Sequence, residues 1–471
     1  MKFLKLLVAS LLLMSCSVIA QNKKNVLVFV VDDLGYYDIS KHDADFYETP
    51  NIDQLAEDGL DFNNAYVAHP RCLPSRYALQ TGRYPARAGI PSRNENTIKD
   101  KKFYDNEVTI GQAFKNNGYH TFFAGKWHLG HTEDEWPQNK GYDINIAGCA
   151  AGAPNSYFFP YNVPKNPKKS KKKGHGKIVG LDNGVEGEYL TDRLTDETIN
   201  FINEDHKDPF FIMLCHYGVH TPFQAKKEHI KKYKTKIEGV TFEGPEYTLQ
   251  DGYTKMHQNN VVYGAMVESV DESLGRVVKA LKDKGLYDNT IIVFTSDHGG
   301  LSNRGVNNKR ELATSNLPLR AGKGHTYEGG TKVPLIFAGA KITKKHTSDQ
   351  VTTNTDLYPT LLDLCGLDLI PSEHKDGVSI KTEIQKGKTT DRTLFWHSSR
   401  ARPKSTGDTN CTVVRDGDLK MSYFYDDDHY ELYDLSKDPF EATNLIDVNK
   451  KDAARLKQLI TTWKEEVKAT I

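Results

Sequence analysis

Two runs of β-branched and apolar residues, Asn25 to Val31 (N-V-L-V-F-V-V) and Thr290 to Ser296 (T-I-I-V-F-T-S), constrain the fold of this chain more than any other feature. Neither alternates polar with apolar, so neither reads as a strand with one wet face. Continuous runs of this kind fit strands covered on both sides, as in a parallel sheet flanked by helices. Each ends in charge: Asp32-Asp33 after the first, Asp297-His298-Gly299-Gly300 after the second. A third apolar stretch, Pro209 to Leu214, precedes His216 and His220. Open α/β sheets place ligand sites beyond the carboxyl ends of their strands, so these polar clusters are expected to meet in one crevice. Val262 to Lys282 carries apolar residues at helical spacing and would cover the sheet. The expected fold is α/β, with a large, mostly parallel sheet sandwiched by helices.

From about Asp376 the pattern changes to short alternating stretches, Cys411 to Val414 and Leu419 to Phe424, with Arg415-Asp416-Gly417-Asp418 as a hairpin turn between them. Leu456, Leu459, Ile460, Trp463 and Val467 then mark one face of a final amphipathic helix. The division this implies is a large N-terminal domain over 21–375 and a small C-terminal antiparallel sheet with a helix over 376–471. Residues 1–20 read as a signal peptide: Lys2 and Lys5, an apolar stretch from Leu6 to Leu13, then Val18-Ile19-Ala20 before Gln21. A rival reading takes Leu13-Met14-Ser15-Cys16 as a lipoprotein box with a lipid anchor at Cys16. Either way the protein is expected to be exported, to the periplasm or beyond, and no later apolar run is long enough to insert stably in a membrane.

Lys and Arg number 62, as do Asp and Glu, and loss of the leader removes two lysines. A chain so near neutrality is not built to bind nucleic acid. The six cysteines are widely spaced and resemble neither a zinc site nor a disulfide framework. Cys215 and Cys365 lie in apolar surroundings and read as core thiols. Lysines crowd the Pro-, Gly- and Ser-containing segment from Lys165 to Lys177, which reads as a surface loop or as a basic lip attracting a polyanion.

Two adjacent carboxylates at a buried strand end repel one another unless something neutralises them. Asp32, Asp33, Asp297 and His298 would make an oxygen-rich site for a hard cation, Ca²⁺ in preference to Mg²⁺; alternatively, Asp33 caps a helix and His298 bonds locally. Cys72 opens the run Cys-Leu-Pro-Ser-Arg, through Arg76, and Thr81-Gly82-Arg83 follows. Further along stand Gly125-Lys126-Trp127-His128, His220-Thr221-Pro222-Phe223, Gly322-Lys323-Gly324 and Glu328-Gly329-Gly330-Thr331-Lys332-Val333-Pro334. If extended, the i, i+2 spacing of Lys126 and His128 would put both on one side. If Cys72 begins a helix, Arg76 shares its face near the positive helix end.

In order, these segments resemble the signature of the type I, formylglycine-dependent sulfatases of the alkaline-phosphatase superfamily, secreted bacterial polysaccharide sulfatases in particular. Asp356 to Leu362, Asp376 to Ser379 and Glu431 to Leu445 extend the resemblance over nearly the whole mature chain. It implies an alkaline-phosphatase-like fold and a Cys72 oxidised to 3-oxoalanine (formylglycine) by a maturation enzyme. It also implies a cation held by Asp32, Asp33, Asp297, His298 and the side chain at 72. Lys126, Lys323 and His220 would bind the sulfate, His220 would protonate the leaving oxygen, His128 would act as base, and Arg76 would steady the nucleophile. His298 stands where many relatives have Asn, and Lys332 where they have Arg.

The implied reaction is hydrolysis of sulfate esters on a sulfated polysaccharide or its oligosaccharides. A marine algal glycan such as ulvan or carrageenan is the first expectation and a glycosaminoglycan the second. His69, Arg87, Tyr36, Trp127 and His397 are candidate sugar contacts. Two other classes stay open: a phosphate or phosphonate ester hydrolase of the same superfamily, and a glycan-binding protein that has lost turnover.

Overall fold

The computed structural model describes residues 23–44, 46–90, 107–163, 177–340, 342 and 346–470. The leader, with Cys16, and all of the lysine-rich segment but Lys177 lie outside them. The principal sheet has eight strands: β1 (Asn25–Val31), β2 (Leu60–Phe62), β3 (His120–Gly125), β4 (Ile144–Ile146), β5 (Phe210–Cys215), β6 (Thr290–Ser296), β7 (Leu335–Gly339) and β8 (His346–Ser348). They lie in the order β8-β2-β7-β6-β1-β5-β3-β4. The block β6-β1-β5-β3-β4 is parallel throughout, whereas β7 runs antiparallel to both β6 and β2. The sheet is therefore mixed, with its parallel part where the unbroken apolar runs had indicated.

Both faces of β1 are covered, which is why its sequence does not alternate. Leu27, Phe29 and Val31 pack into one core, beneath α2 (Leu190–Asn203), α3 (Lys227–Glu238) and α4 (Val261–Asp283). Val26, Val28 and Val30 point into the other, which includes Tyr77 and Leu79 of α1 (Cys72–Thr81) and Leu357, Leu361 and Leu362 of α5 (Leu357–Leu364). Cys215 and Cys365 are buried in this second core as free thiols, and burial pushes Cys365 up to about 11.

A separate antiparallel sheet follows: β9 (Thr393–Ser398), β10 (Cys411–Asp416), β11 (Leu419–Phe424) and β12 (His429–Asp434), paired in sequence order. The hairpin is tighter than the sequence indicated. Arg415 and Asp416 remain in the ladder, and only Gly417, at φ 61°, and Asp418 turn the chain. Helix α6 (Lys450–Val467) lays Leu456, Ile460, Trp463 and Val467 inward. Lys420 of β11 is fully buried, with Nζ 2.8 Å from Glu328, which precedes the C-terminal sheet, and 2.9 Å from Glu441, which follows it. The Glu328-Gly-Gly stretch thus anchors the C-terminal sheet. No helix among the described residues is long and apolar enough to cross a membrane.

Candidate active site

Four neighbouring parallel strands end at the same edge of the sheet, and each delivers polar side chains there. β1 supplies Asp32 and Asp33, β6 supplies Asp297 and His298, β3 supplies Lys126 and His128, and the loop after β5 supplies His220. α1 begins at this edge with Cys72 as its first residue, after Arg71 in extended conformation, so the thiol sits at the positive end of the helix. Lys323 arrives on a separate loop, held by a bond from its own N–H to the Gly300 carbonyl (3.0 Å).

The distances join these residues into one cluster. Cys72 Sγ lies 3.2 Å from His298 Nε2. The same Nε2 is 3.1 Å from Asp33 Oδ1 and 3.5 Å from Asp297 Oδ1. Lys323 Nζ donates to Asp33 Oδ1 at 2.5 Å, and Lys126 Nζ donates to Asp32 Oδ2. His220 Nε2 stands 3.8 Å from Asp33 Oδ2. Burial opposes ionisation of the Cys72 thiol, but Lys126, Lys323, His298 and a hydrogen bond with His128 outweigh it and hold the thiol well below its ordinary range.

A divalent cation fits this cluster. Asp32, Asp33 and Asp297 are all but fully buried. Burial, then repulsion from Asp297, pushes the Asp32 carboxyl well above its usual range, and its Oδ1 has no hydrogen-bond partner. Asp32, Cys72, Asp297 and His298 each offer an atom within 4.8 Å of the others, as do Asp33, Cys72 and His220. Three carboxylates and one imidazole favour a hard, oxygen-seeking ion over a structural zinc.

Three expectations need correction. Arg76 spends its hydrogen bonds on groups other than Cys72, whose charge it meets only at longer range: its Nε donates to Asp297 Oδ2 (2.9 Å), its Nη1 to the Lys126 carbonyl (2.7 Å), and Nη2 stands 3.9 Å from Asp32 Oδ1. The i, i+4 spacing shares a helix face, but a side chain this long passes the nucleophile and ends among the acids. His128 is not extended beside Lys126. β3 stops at Gly125, where φ is 99° and a Cβ would lie 1.9 Å from the Cys215 carbonyl oxygen, and His128 itself has φ 58°. It reaches Cys72 through that bend rather than by strand alternation. Asp33, also at φ 66°, follows β1 in the left-handed region and caps no helix.

Four of the five suggested sugar contacts have partners of their own. Trp127 is buried edge-on to Phe123, with Nε1 donating to the Glu135 carbonyl (3.0 Å). His397 is buried against Thr412 and the Thr470 carbonyl, and Arg87 pairs with Asp376 and Glu466. Tyr36 stacks on His42. His69 is fully buried, with both ring nitrogens unpartnered among the described residues.

No sequence signal pointed to the Arg71–Asp408 ion pair, 2.7 Å long and 337 positions apart, which fixes the residue before Cys72. Nothing local could reveal it, because its two halves meet only when the C-terminal segment folds back.

Residues 24–367 match the family model described as Sulfatase, and residues 322–469 match that of the N-sulphoglucosamine sulphohydrolase C-terminal region. The chain is similar to a sulfatase of Formosa agariphila, at 29% identity over 95% of this chain and 90% of that protein. It is similar to human N-acetylgalactosamine-6-sulfatase, at 30% identity over 80% of this chain and 69% of that protein. Its fold matches the crystal structure of Ps i-CgsB with a TM-score of 0.74 and 30% identity, covering 94% of this chain and 92% of that one. A structure of Ps i-CgsB in complex with k-i-k-neocarrahexaose matches equally well, with a TM-score of 0.74.

Proposed function

The chain belongs to the sulfatase family and hydrolyses sulfate esters, and from that premise we propose that its substrate is a sulfated polysaccharide or its oligosaccharides, met outside the cytoplasm, and that the nucleophile is a formylglycine made from Cys72. The observation that carries this reading is the position of Cys72: first residue of a buried helix, 3.2 Å from His298, among three carboxylates and two lysines.

A hydrated aldehyde at this position has one hydroxyl to attack sulfur and a second whose deprotonation expels sulfate. Asp32, Asp33, Asp297 and His298 would hold Ca²⁺, or less favourably Mg²⁺, which supplies positive charge opposite the sulfuryl oxygens. Lys126 and Lys323 bring two further positive charges to the anion, each steadied by one of the paired acids. Arg76 positions the acids by holding Asp297 and the Lys126 carbonyl.

The histidines divide the proton work. Burial pulls His128 down to about 4, despite its bond to Cys72, so it is neutral at pH 7 and ready to accept a proton from the group at 72. Burial, reinforced by Lys323, lowers His220 to about 3. Its Nδ1–H donates to the Thr221 carbonyl (2.7 Å), which leaves Nε2 as a bare lone pair facing Asp33. A bound sulfate would offset the field of Lys323 and favour the protonated His220 that donates to the leaving oxygen.

This predicts a leaving-group signature. His220→Ala should lower kcat/KM for sugar sulfates by about 10²- to 10⁴-fold, but for 4-nitrophenyl sulfate, whose phenolate departs with little help, by less than about 10-fold. Equal losses on both substrates would remove His220 from the acid role. Removal of the cation makes a second prediction. Chelation should abolish turnover and lower the melting temperature, because an ion that binds only the folded cluster of acids stabilises the fold by its binding energy. Added Ca²⁺ should restore both better than Mg²⁺ does, and full activity after exhaustive chelation would rule the cation out.

Among glycans, a sulfated galactan of the carrageenan type is favoured over ulvan. Ps i-CgsB has been solved with a neocarrahexaose, and the human relative is named for a galactosamine sulfate, so both names point to galacto-configured sugars. The human relative also keeps a glycosaminoglycan as the second reading. The deciding experiment is sulfate release from carrageenan, ulvan and chondroitin sulfate oligosaccharides, with the Cys72 peptide checked by mass spectrometry for formylglycine. Release from carrageenan oligosaccharides is expected. With the aldehyde present, release from none of the three would overturn the polysaccharide assignment.

A further inference from the structure

Cys72 and Lys323 reach the site on separate segments, and their spacing is set by a junction just behind them. The Gly324 N–H donates to the Pro70 carbonyl (2.8 Å), so the residue after Lys323 is tied to the chain two positions before Cys72. Gly324 has φ 99°, and a Cβ there would lie 2.8 Å from Arg71 Nη2, 3.0 Å from Thr406 Oγ1 and 3.1 Å from Asp408 Oδ1. Only glycine tolerates both that conformation and so close an approach. Three segments therefore meet at one point: the approach to the nucleophile, the loop that carries Lys323, and the C-terminal stretch around Asp408.

Asp408 bonds toward both sides of this junction. Arg71 Nη2 donates to its Oδ1 and Oδ2, each at 2.7 Å, and to Thr406 Oγ1 at 2.9 Å. The Thr406 hydroxyl donates in turn to Asp408 Oδ1, and the Arg402 N–H to Oδ2 (3.2 Å). On the nucleophile's side, the Arg71 carbonyl accepts the Ser75 N–H (3.0 Å), the bond that starts α1 at Cys72. On the lysine's side, His325 Nε2 donates to the Thr406 carbonyl (2.9 Å), and the His325 N–H closes a turn around Lys323 on the Gly322 carbonyl (2.9 Å). Arg71 and Asp408 are both buried. Burial opposes ionisation of Asp408, but the charge of Arg71 outweighs it and holds the carboxyl below its usual range. A buried ion pair adds little net stability over an apolar pair of similar volume, so its place here is better explained by the geometry it fixes.

We infer that Asp408 is a positioning residue for the reaction: through Arg71 it holds the backbone of the nucleophile in register with the loop that carries Lys323, so that turnover depends on the C-terminal segment although that residue touches no reacting atom. The inference rests on the reading of Cys72 as nucleophile and Lys323 as sulfate ligand above. Its consequence is a loss of rate without a loss of binding, because the groups that hold the sulfate remain while the attacking oxygen is displaced from them.

The test measures kcat and KM of the full-length wild type, of Asp408→Asn and of the Arg71→Leu/Asp408→Leu double variant on a sulfated oligosaccharide and on 4-nitrophenyl sulfate, with melting curves and with the aldehyde at position 72 quantified in each protein by mass spectrometry. Asp408→Asn should lower kcat by about 10- to 100-fold on both substrates, per aldehyde, with little change in KM. Asp408→Asn leaves Arg71 buried without its counter-charge and will melt earlier. The double variant removes both charges and should regain the melting temperature but not the rate, so it decides the matter if the single variant does not fold. A double variant that recovers wild-type kcat along with stability would show the pair to be merely structural and overturn the inference. A loss confined to KM for the oligosaccharide would also overturn it, because Arg71 would then be a sugar contact. Wild-type turnover of the aryl ester with no release from glycans would fail the polysaccharide assignment alone, and turnover with Cys72 unconverted would fail the formylglycine reading alone; in both cases the variants still decide the role of Asp408.

Discussion

Cys72→Ser should reduce sulfate release by at least about 10³-fold while leaving the fold intact. The substitution is nearly isosteric, and the serine hydroxyl keeps its place at the first turn of α1 beside His298, so the cluster of acids, lysines and histidines stays assembled. What disappears is the second hydroxyl. A hydrated formylglycine attacks with one oxygen and is emptied through the other, whereas a serine that attacks sulfur has no remaining hydroxyl from which His128 can remove a proton. The variant should therefore release the alcohol once per molecule and stop, carrying one sulfuryl group visible in its intact mass. Steady turnover by Cys72→Ser would refute the aldehyde mechanism. Protein expressed without a maturation enzyme should likewise be inactive, because an unconverted thiol has the same deficiency.

Lys420→Met should destabilise the protein by about 3–5 kcal/mol at pH 8, which is the cost of breaking a buried ion pair from one side. Lys420 is the cation shared by two buried carboxylates, Glu328 and Glu441, from positions on either side of it in the chain. Glu328 also accepts from Tyr66 (2.7 Å), which bonds Arg415, and Glu441 accepts the Glu328 N–H (2.7 Å). Burial already pushes Glu441 up to about 7 against the pull of Lys420, while Lys420 and Arg415 hold Glu328 down at about 2 despite burial. Without Lys420 both folded-state carboxyls move upward relative to the unfolded chain. A raised carboxyl pKa gives stability that is present at low pH and is lost as pH rises through the folded-state value. The deficit should therefore be largest at pH 8 and shrink toward pH 5, as read by urea unfolding at the two pH values. A deficit below about 1 kcal/mol at pH 8 would show that the network does not bind the C-terminal sheet to the rest.

The strands were legible because a segment buried on both faces must be apolar at every position, and β1 and β6 run over the residues their sequences indicated. Helix α4 extends one residue beyond each end of its periodic segment. The site was legible in part for the same reason, since the charged residues that end these strands can have no place inside the core. The antiparallel course of β7 was not legible. Its apolar run reads the same in either direction, and only its pairing with β6 and β2 decides between them.

Sequence alone determined which chemical groups stand at the strand ends: carboxylates after β1 and β6, a lysine and a histidine after β3, and histidines after β5. Tertiary structure decided what those groups touch. Arg76 passes Cys72 to reach Asp297, His128 arrives through a left-handed bend, Trp127 turns inward, and Arg71 meets Asp408 from 337 positions away. The physical reason is range. Burial and periodicity act on neighbours within a turn or a strand and leave their mark locally, whereas ion pairs across hundreds of residues depend on strand order and on the docking of the C-terminal sheet, which no local pattern encodes.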